Sequence, residues 1–170
     1  MADMAYPRPQ LERPQWVSLN GEWKFTFDPE QRFRQPSEVA EWTHTILVPF
    51  APESRASGIG DSGFHRACWY EREFECEKPI EKKPGEKKPG DKKPGRVILH
   101  FGAVDYLARV WVNNMLAIEH EGGHTPFSMD ITMLLSENST QRITVRAEDD
   151  PEDLEKPRGK QDWQQRRGFW

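Results

Sequence analysis

RVILHFGAVDYLARVWVNNMLAIEHEGGHTPFSMD, Arg96 to Asp130, carries the densest β pattern in the chain, and its reading decides the fold class. Val97, Leu99 and Phe101 share one side of a strand, because successive side chains of an extended chain point to opposite faces. After Gly102, Ala108, Val110 and Val112 alternate with Leu107, Arg109, Trp111 and Asn113, so a second strand buries small and branched residues on one face. Asn113-Asn114 follows. Asparagine tolerates positive φ better than other non-glycine residues, so two in succession between apolar runs predict a hairpin joining Val110–Val112 to Leu116–Ile118. The stretch is the centre of an antiparallel sheet.

Outward from this centre the same period recurs. In Trp16–Phe27 a turn at Asn20-Gly21 precedes Trp23, Phe25 and Phe27, which alternate with Lys24 and Thr26. Asp28–Trp42 is polar, with room for one short helical turn at Ser37–Trp42. Ile46-Leu47-Val48 is a brief strand stopped by Pro49, and the loop Pro49–Arg66 is where function is expected on a β scaffold. The strand Cys68–Cys76 places Cys68, Tyr70, Phe74 and Cys76 on a core face and Trp69, Glu71, Glu73 and Glu75 on the other. Downstream, the Asp130 carboxylate is placed to accept backbone N–H bonds from a short turn. Ile143, Val145 and Ala147 form a last strand, and the pattern stops at Asp149. Seven or eight strands without a long helical period predict an all-β sandwich.

Two segments stand outside this pattern. Residues 1–14 hold three prolines and read as an N-terminal arm, leaving 15–170 as a single sandwich domain. Lys78–Gly95, KPIEKKPGEKKPGDKKPG, repeats a five-residue unit ending in Lys-Lys-Pro-Gly. Proline and glycine at that frequency deny a ladder its donors and a core its side chains, so the domain is interrupted at 78–95 by a solvated excursion.

Composition bounds the function. A net charge of −4 disfavours a nucleic-acid partner. No run approaches the roughly 18 apolar residues of a membrane span, and MADMAYPRPQ lacks the apolar middle of a signal peptide. Cys68 and Cys76, eight positions apart on one strand at about 3.3 Å per residue, are too distant to bridge. Reduced cysteines favour a cytoplasmic setting, in which the sequon Asn138-Ser139-Thr140 would have no role. No cofactor is expected. His120-Glu121-Gly122-Gly123-His124 spells the H-E-x-x-H zinc signature, but that site needs a helix. Two glycines costing about 1 kcal/mol each and Pro126 immediately beyond argue for a strand end and a glycine turn. The 28 acidic residues offer many nominal carboxylate pairs, none of which stands out.

Six collinear blocks carry a resemblance. LNGEWKF (19–25), VPFAPESRASGIG (48–60), WYEREF (69–74), VILHFGAVDYLARVWVNN (97–114), HEGGHTPFSMDIT (120–132) and ITVRAEDDPEDLEKPRGKQDW (143–163) together resemble the N-terminal sugar-binding domain of glycoside hydrolase family 2, which includes β-galactosidases and β-glucuronidases. The resemblance implies a jelly-roll, galactose-binding-like β-sandwich, followed in the parent protein by an immunoglobulin-like domain and a TIM barrel holding two catalytic glutamates. A barrel needs about 250 residues, so no catalytic residue is expected within this chain. The Lys-Pro-Gly repeat departs from the family's usual short turn, and the chain stops before the Gly-Ile-Trp block that usually follows. By resemblance, a loop of this domain helps hold the terminal sugar through an aspartate. Asp162 is the candidate, with Trp163 beside it to stack on a ring face, and Asp61 and His65 are further candidates for the same rim. The implied partner is a terminal β-linked sugar, held through the parent enzyme; a free-standing carbohydrate-binding module is the alternative.

Overall fold

The computed structural model describes residues 15–79, 95–150, 153, 155 and 156. Eight strands occur among them: β1 (Gly21–Phe27), β2 (His44–Val48), β3 (Ala67–Glu75), β4 (Ile98–Phe101), β5 (Leu107–Val112), β6 (Met115–Glu121), β7 (Phe127–Asp130) and β8 (Thr140–Glu148). Three single 3-10 turns, Pro36–Glu38, Arg55–Ser57 and Thr132–Leu134, are the helical elements among the described residues. The fold is all-β, as the alternation predicts.

Six strands form one antiparallel sheet in the order β2-β1-β3-β8-β5-β6, and β4 pairs with β7 in a second, smaller sheet. Register sets the faces, since directly opposed residues point the same way. Phe25, Tyr70, Val145, Val110 and Ile118 are opposed in one row, with Ile143 against Val112 in another. Leu99 and Met129 of the small sheet, together with Ile131 and Leu135, pack onto these rows to close the core. Full burial of a side chain such as Val110 contributes about 1.5–3 kcal/mol.

The hairpin forms where Asn113-Asn114 predicts it. Both residues take left-handed φ, 51° and 66°, and Val112 opposes Met115 across the turn. The Asp130 carboxylate accepts the Thr132 N–H at 3.0 Å, at the start of the Thr132–Leu134 turn, as expected. The excursion at 78–95 leaves and re-enters the sandwich at one place. Residues 80–94 lie outside the described residues, but a β-carbon built on Gly95 would sit 3.6 Å from Pro79.

One expectation is corrected. The sequence reading puts the core on a single face of the large sheet, yet the opposite face is buried as well. Trp69 is fully buried, Trp111 stacks on it at 5.3 Å, and Arg146, Thr144, Thr26 and Glu71 on the same face are all hidden. The cover is the segment after β1. Asp28, fully buried at the end of that strand, accepts the Arg32 N–H at 2.8 Å, the Phe33 N–H at 3.0 Å and the Trp69 indole N–H at 3.3 Å. These bonds hold the Phe33 ring edge-on to Trp69 at 6.5 Å. The Arg146 guanidinium lies 5.9 Å from the Trp69 ring centre and pairs with Glu148, which also accepts from Gln31 at 2.9 Å. The polar segment 28–38 is therefore a second layer.

Candidate functional site at the rim

The loops gather at the end of the large sheet where β3 begins and β8 ends, the position at which Ala67 opposes Glu148. They are tied by backbone bonds: Asp149 N–H to Arg66 O at 3.0 Å, Tyr106 N–H to Glu148 O at 3.2 Å, and Gly122 N–H to Tyr106 O at 2.9 Å. The rim is a connected surface rather than a set of independent loops.

Pro49–Arg66 owes its shape to a buried serine. The Ser57 hydroxyl donates to Ser54 O at 2.7 Å and accepts the Ile59 N–H at 3.1 Å, while Ser54 Oγ caps the Arg55–Ser57 turn through the Ala56 N–H. Gly58 and Gly60, at φ 86° and 68°, supply the left-handed steps that leave this turn. The Asp61 N–H then bonds Pro52 O at 3.0 Å, which closes the loop on itself.

Asp61 and His65, both named from the sequence, are brought together. Asp61 Oδ2 lies 3.2 Å from His65 Nε2, and Asp61 Oδ1 accepts the Gly63 N–H at 2.7 Å. The Gly63 N–H foremost, then the His65 hydrogen bond, hold the Asp61 carboxyl below its ordinary range. The His65 ring stacks on Phe27 at 3.7 Å, so the imidazole is fixed by the sheet beneath and the carboxylate above. The Asp61 carboxylate is the part of the pair open to solvent, an oriented acceptor of the kind that binds hydroxyl groups, whereas His65 Nδ1 is buried with no hydrogen-bond partner.

A second group on this rim was missed by the sequence reading. Tyr106 Oη donates to Glu121 Oε1 at 3.0 Å, which raises the phenol's pKa. Lys156 Nζ sits 4.8 Å over the Tyr106 ring and 3.4 Å from Asp149 Oδ1. Asp105, beside them, has its pKa raised by desolvation first and by the Asp149 charge second, against the pull of His124 and Lys156. No spacing signal marks this cluster, because its members come from separate loops. Asp162 and Trp163, the principal sequence candidates, lie outside the described residues.

The H-E-x-x-H match resolves as the strand end and glycine turn expected of it. His120 belongs to β6, stacks on Phe127 at 4.2 Å, and lies 3.0 Å from Thr125 Oγ1. Gly122 takes φ 123°, and a β-carbon on Gly123 would collide with the Asp105 carboxylate. Both glycines serve the turn. The cysteines are free, with Cys68 buried and its thiol pushed up to about 12 by desolvation, as an inert core residue requires.

Two antiparallel sheets packed on a common core, with the polar loops tied together at one end, make this a β-sandwich domain. Comparison with known proteins supplies the family. No family model matches the chain. The β-glucuronidase of Felis catus is 35% identical over 156 residues, spanning 84% of this chain and 22% of that protein. Among solved structures, Faecalibacterium prausnitzii β-glucuronidase aligns with a TM-score of 0.58 at 27% identity, over 81% of this chain and 22% of that one. Bifidobacterium dentium β-glucuronidase, solved with coumarin-3-O-glucuronide, aligns with a TM-score of 0.56 at 25% identity, over 76% and 19%. The homologues are β-glucuronidases, enzymes of glycoside hydrolase family 2, and the chain corresponds to an N-terminal domain of such an enzyme. It spans 22% of the length of the curated relatives it matches.

Proposed function

We propose that the chain is the non-catalytic, sugar-binding N-terminal domain of a family 2 exo-β-glycosidase, and that the parent protein hydrolyses terminal β-glucuronides in preference to β-galactosides. The observation that carries this reading is the match of 84% of the chain to a β-glucuronidase of which it spans 22%. On this reading the acid and the nucleophile reside in a barrel elsewhere in the parent, with an immunoglobulin-like domain between. The sandwich acts by positioning, since its rim lends hydrogen bonds to a sugar that the barrel already holds.

Asp61, His65, Asp162 and Trp163 are the proposed rim contacts. A neutral hydrogen bond nets about 0.5–1.5 kcal/mol and one to a charged group about 1.5–3, whereas millimolar affinity requires about 4 kcal/mol. The isolated chain should therefore bind simple sugars no tighter than millimolar and show no turnover. The experiment assays the 170-residue chain and the full-length parent against chromogenic β-glucuronide and β-galactoside, then the parent carrying Asp162→Ala or Asp61→Asn. Expected are an inactive fragment, a parent selective for the glucuronide, and reduced kcat/KM in at least the Asp162 variant. Turnover by the fragment would overturn the non-catalytic reading, and a parent selective for the galactoside would overturn the substrate.

A further inference from the structure

The chain contains four asparagines, and three of them have structural work. Asn20 sits at the turn into β1, where its carbonyl accepts from Arg72 at 2.9 Å. Asn113 and Asn114 form the hairpin turn, and the Asn113 carboxamide bonds Leu134 O, Gln141 Oε1 and the Arg142 N–H. Asn138 differs from these. It lies exposed in the bend that precedes β8, and its side-chain carboxamide makes no hydrogen bond among the described residues. Its backbone is nevertheless held, because the carbonyl accepts from Gln141 Nε2, and Gln141 is itself buried and bonded to Cys76 O, Ser136 and Asn113. The result is a fixed backbone carrying a free amide.

Asn138 also opens the chain's single Asn-x-Ser/Thr triplet, Asn138-Ser139-Thr140, with Ser139 and Thr140 exposed beside it. The Thr140 hydroxyl reaches only outward, to Glu75 Oε1 at 2.8 Å on the neighbouring strand. Asn138 borders an open polar cavity of about 310 Å³, lined also by Glu73, Asn114, Thr140 and Arg142. There is room there for a first sugar residue, with amide, guanidinium and carboxylate partners for it.

From these observations we propose that Asn138 is an N-glycosylation acceptor, occupied whenever the chain passes through a glycosylating compartment. The donor is an oligosaccharide carried on a lipid pyrophosphate. The bond from the sugar C1 to the pyrophosphate oxygen breaks, the C1–Nδ2 bond forms, and Nδ2 loses one proton as the lipid pyrophosphate departs. The site is compatible with the rim. β8 runs from Thr140 to Glu148, so at about 3.3 Å per residue its Thr140 end, beside Asn138, stands about 26 Å from the end where the loops gather. The proposal does not depend on the parent's substrate.

The test expresses the 170-residue chain behind a secretory leader in a glycosylating eukaryotic host, as wild type, Asn138→Gln, Thr140→Ala and Thr140→Ser. Medium and intracellular pools are both treated with peptide-N-glycosidase and measured by intact mass. Expected is one glycan on the wild type, removed by the enzyme, absent from Asn138→Gln and Thr140→Ala, and retained at least in part by Thr140→Ser. Thermal melts of the same variants made in bacteria check that each is folded. A folded wild-type chain that emerges unmodified, or a glycan that persists in Asn138→Gln, would overturn the assignment.

Discussion

Removing the Asp28 carboxylate should strip the second layer from the sheet. In Asp28→Ala three donors lose their acceptor: the Arg32 and Phe33 amides, at 2.8 and 3.0 Å, and the Trp69 indole N–H, at 3.3 Å. A hydrogen bond to a charged group nets about 1.5–3 kcal/mol, so simple addition gives an upper bound near 9 kcal/mol. The two amides lie in a part-buried segment and regain water once released. The indole of Trp69 is fully buried and cannot do so without the segment lifting away. A loss of about 3–4 kcal/mol follows, against a total stability of about 5–15 kcal/mol for a domain of ordinary size. At about 2–4 °C per kcal/mol for a chain of this length, Tm should fall by about 10 °C. Asp28→Asn keeps one acceptor but turns an NH2 group toward the donors, so it should recover little. Urea melts followed by tryptophan fluorescence measure the change, with red-shifted emission expected from the folded variant as Trp69 meets solvent. A loss below about 1 kcal/mol for Asp28→Ala, the level of an unremarkable substitution, would refute the claim that this carboxylate anchors the layer.

Three further predictions follow from the same geometry. Val110→Asp should abolish folding, because it buries an unpaired carboxylate in a position with no exposure, while Arg109→Asp, now facing Glu119 and Glu148, should cost only about 1 kcal/mol; circular dichroism of both variants checks the face assignment. Replacing residues 80–94 by an Asn-Gly turn should leave Tm unchanged or raise it, since Pro79 and Gly95 already meet, and a fall of several degrees would show that the excursion packs on the sandwich. Asp105 has a folded-state pKa raised above 3.8, so its contribution is present at low pH and is lost as pH rises through the raised value. Asp105→Asn should then be at least as stable as the wild type at pH 7 and lose that advantage in acid; an equal deficit at both pH values in urea melts would contradict the desolvation argument.

The strands of the large sheet were legible because their signal is local. Alternation in Trp23–Phe27, Ala108–Val112 and Ile143–Ala147 reports one buried face within a few residues, and Asn113-Asn114 names its own turn. The second buried face was not legible, for the opposite reason. Trp69 and Asp28 meet across 41 positions, and Glu71 and Arg146 are charged residues that any local rule assigns to solvent. Asp61 and His65 could be proposed from a glycine-rich loop, and their four-residue separation let the structure pair them. Asp105 and Lys156 gave no such cue, because 51 positions and four strands lie between them. Asp162 and Trp163 rest on family resemblance alone.

Burial of both faces of the large sheet also limits where function can reside. A sheet with one wetted face could bind a ligand along its strands, but here Trp69 is already covered by Asp28 and Phe33 of the chain's own segment 28–38, and Trp111 and Arg146 beside it are buried as well. The two ends of the sheet, where the loops lie, differ in kind. At the hairpin end, the Gln141 side chain is bonded to six different groups, while the exposed Asn138 amide on the same segment makes no side-chain hydrogen bond among the described residues. At the opposite end the Asp61 carboxylate stays open to solvent while paired with His65, so an incoming sugar hydroxyl could share that acceptor without uncovering a buried charge. An exposed ion pair is cheap to rearrange and a buried one is not. That difference, rather than the number of carboxylates, is what favours the rim beyond Ala67 and Glu148 as the end that would meet the sugar in the proposed function.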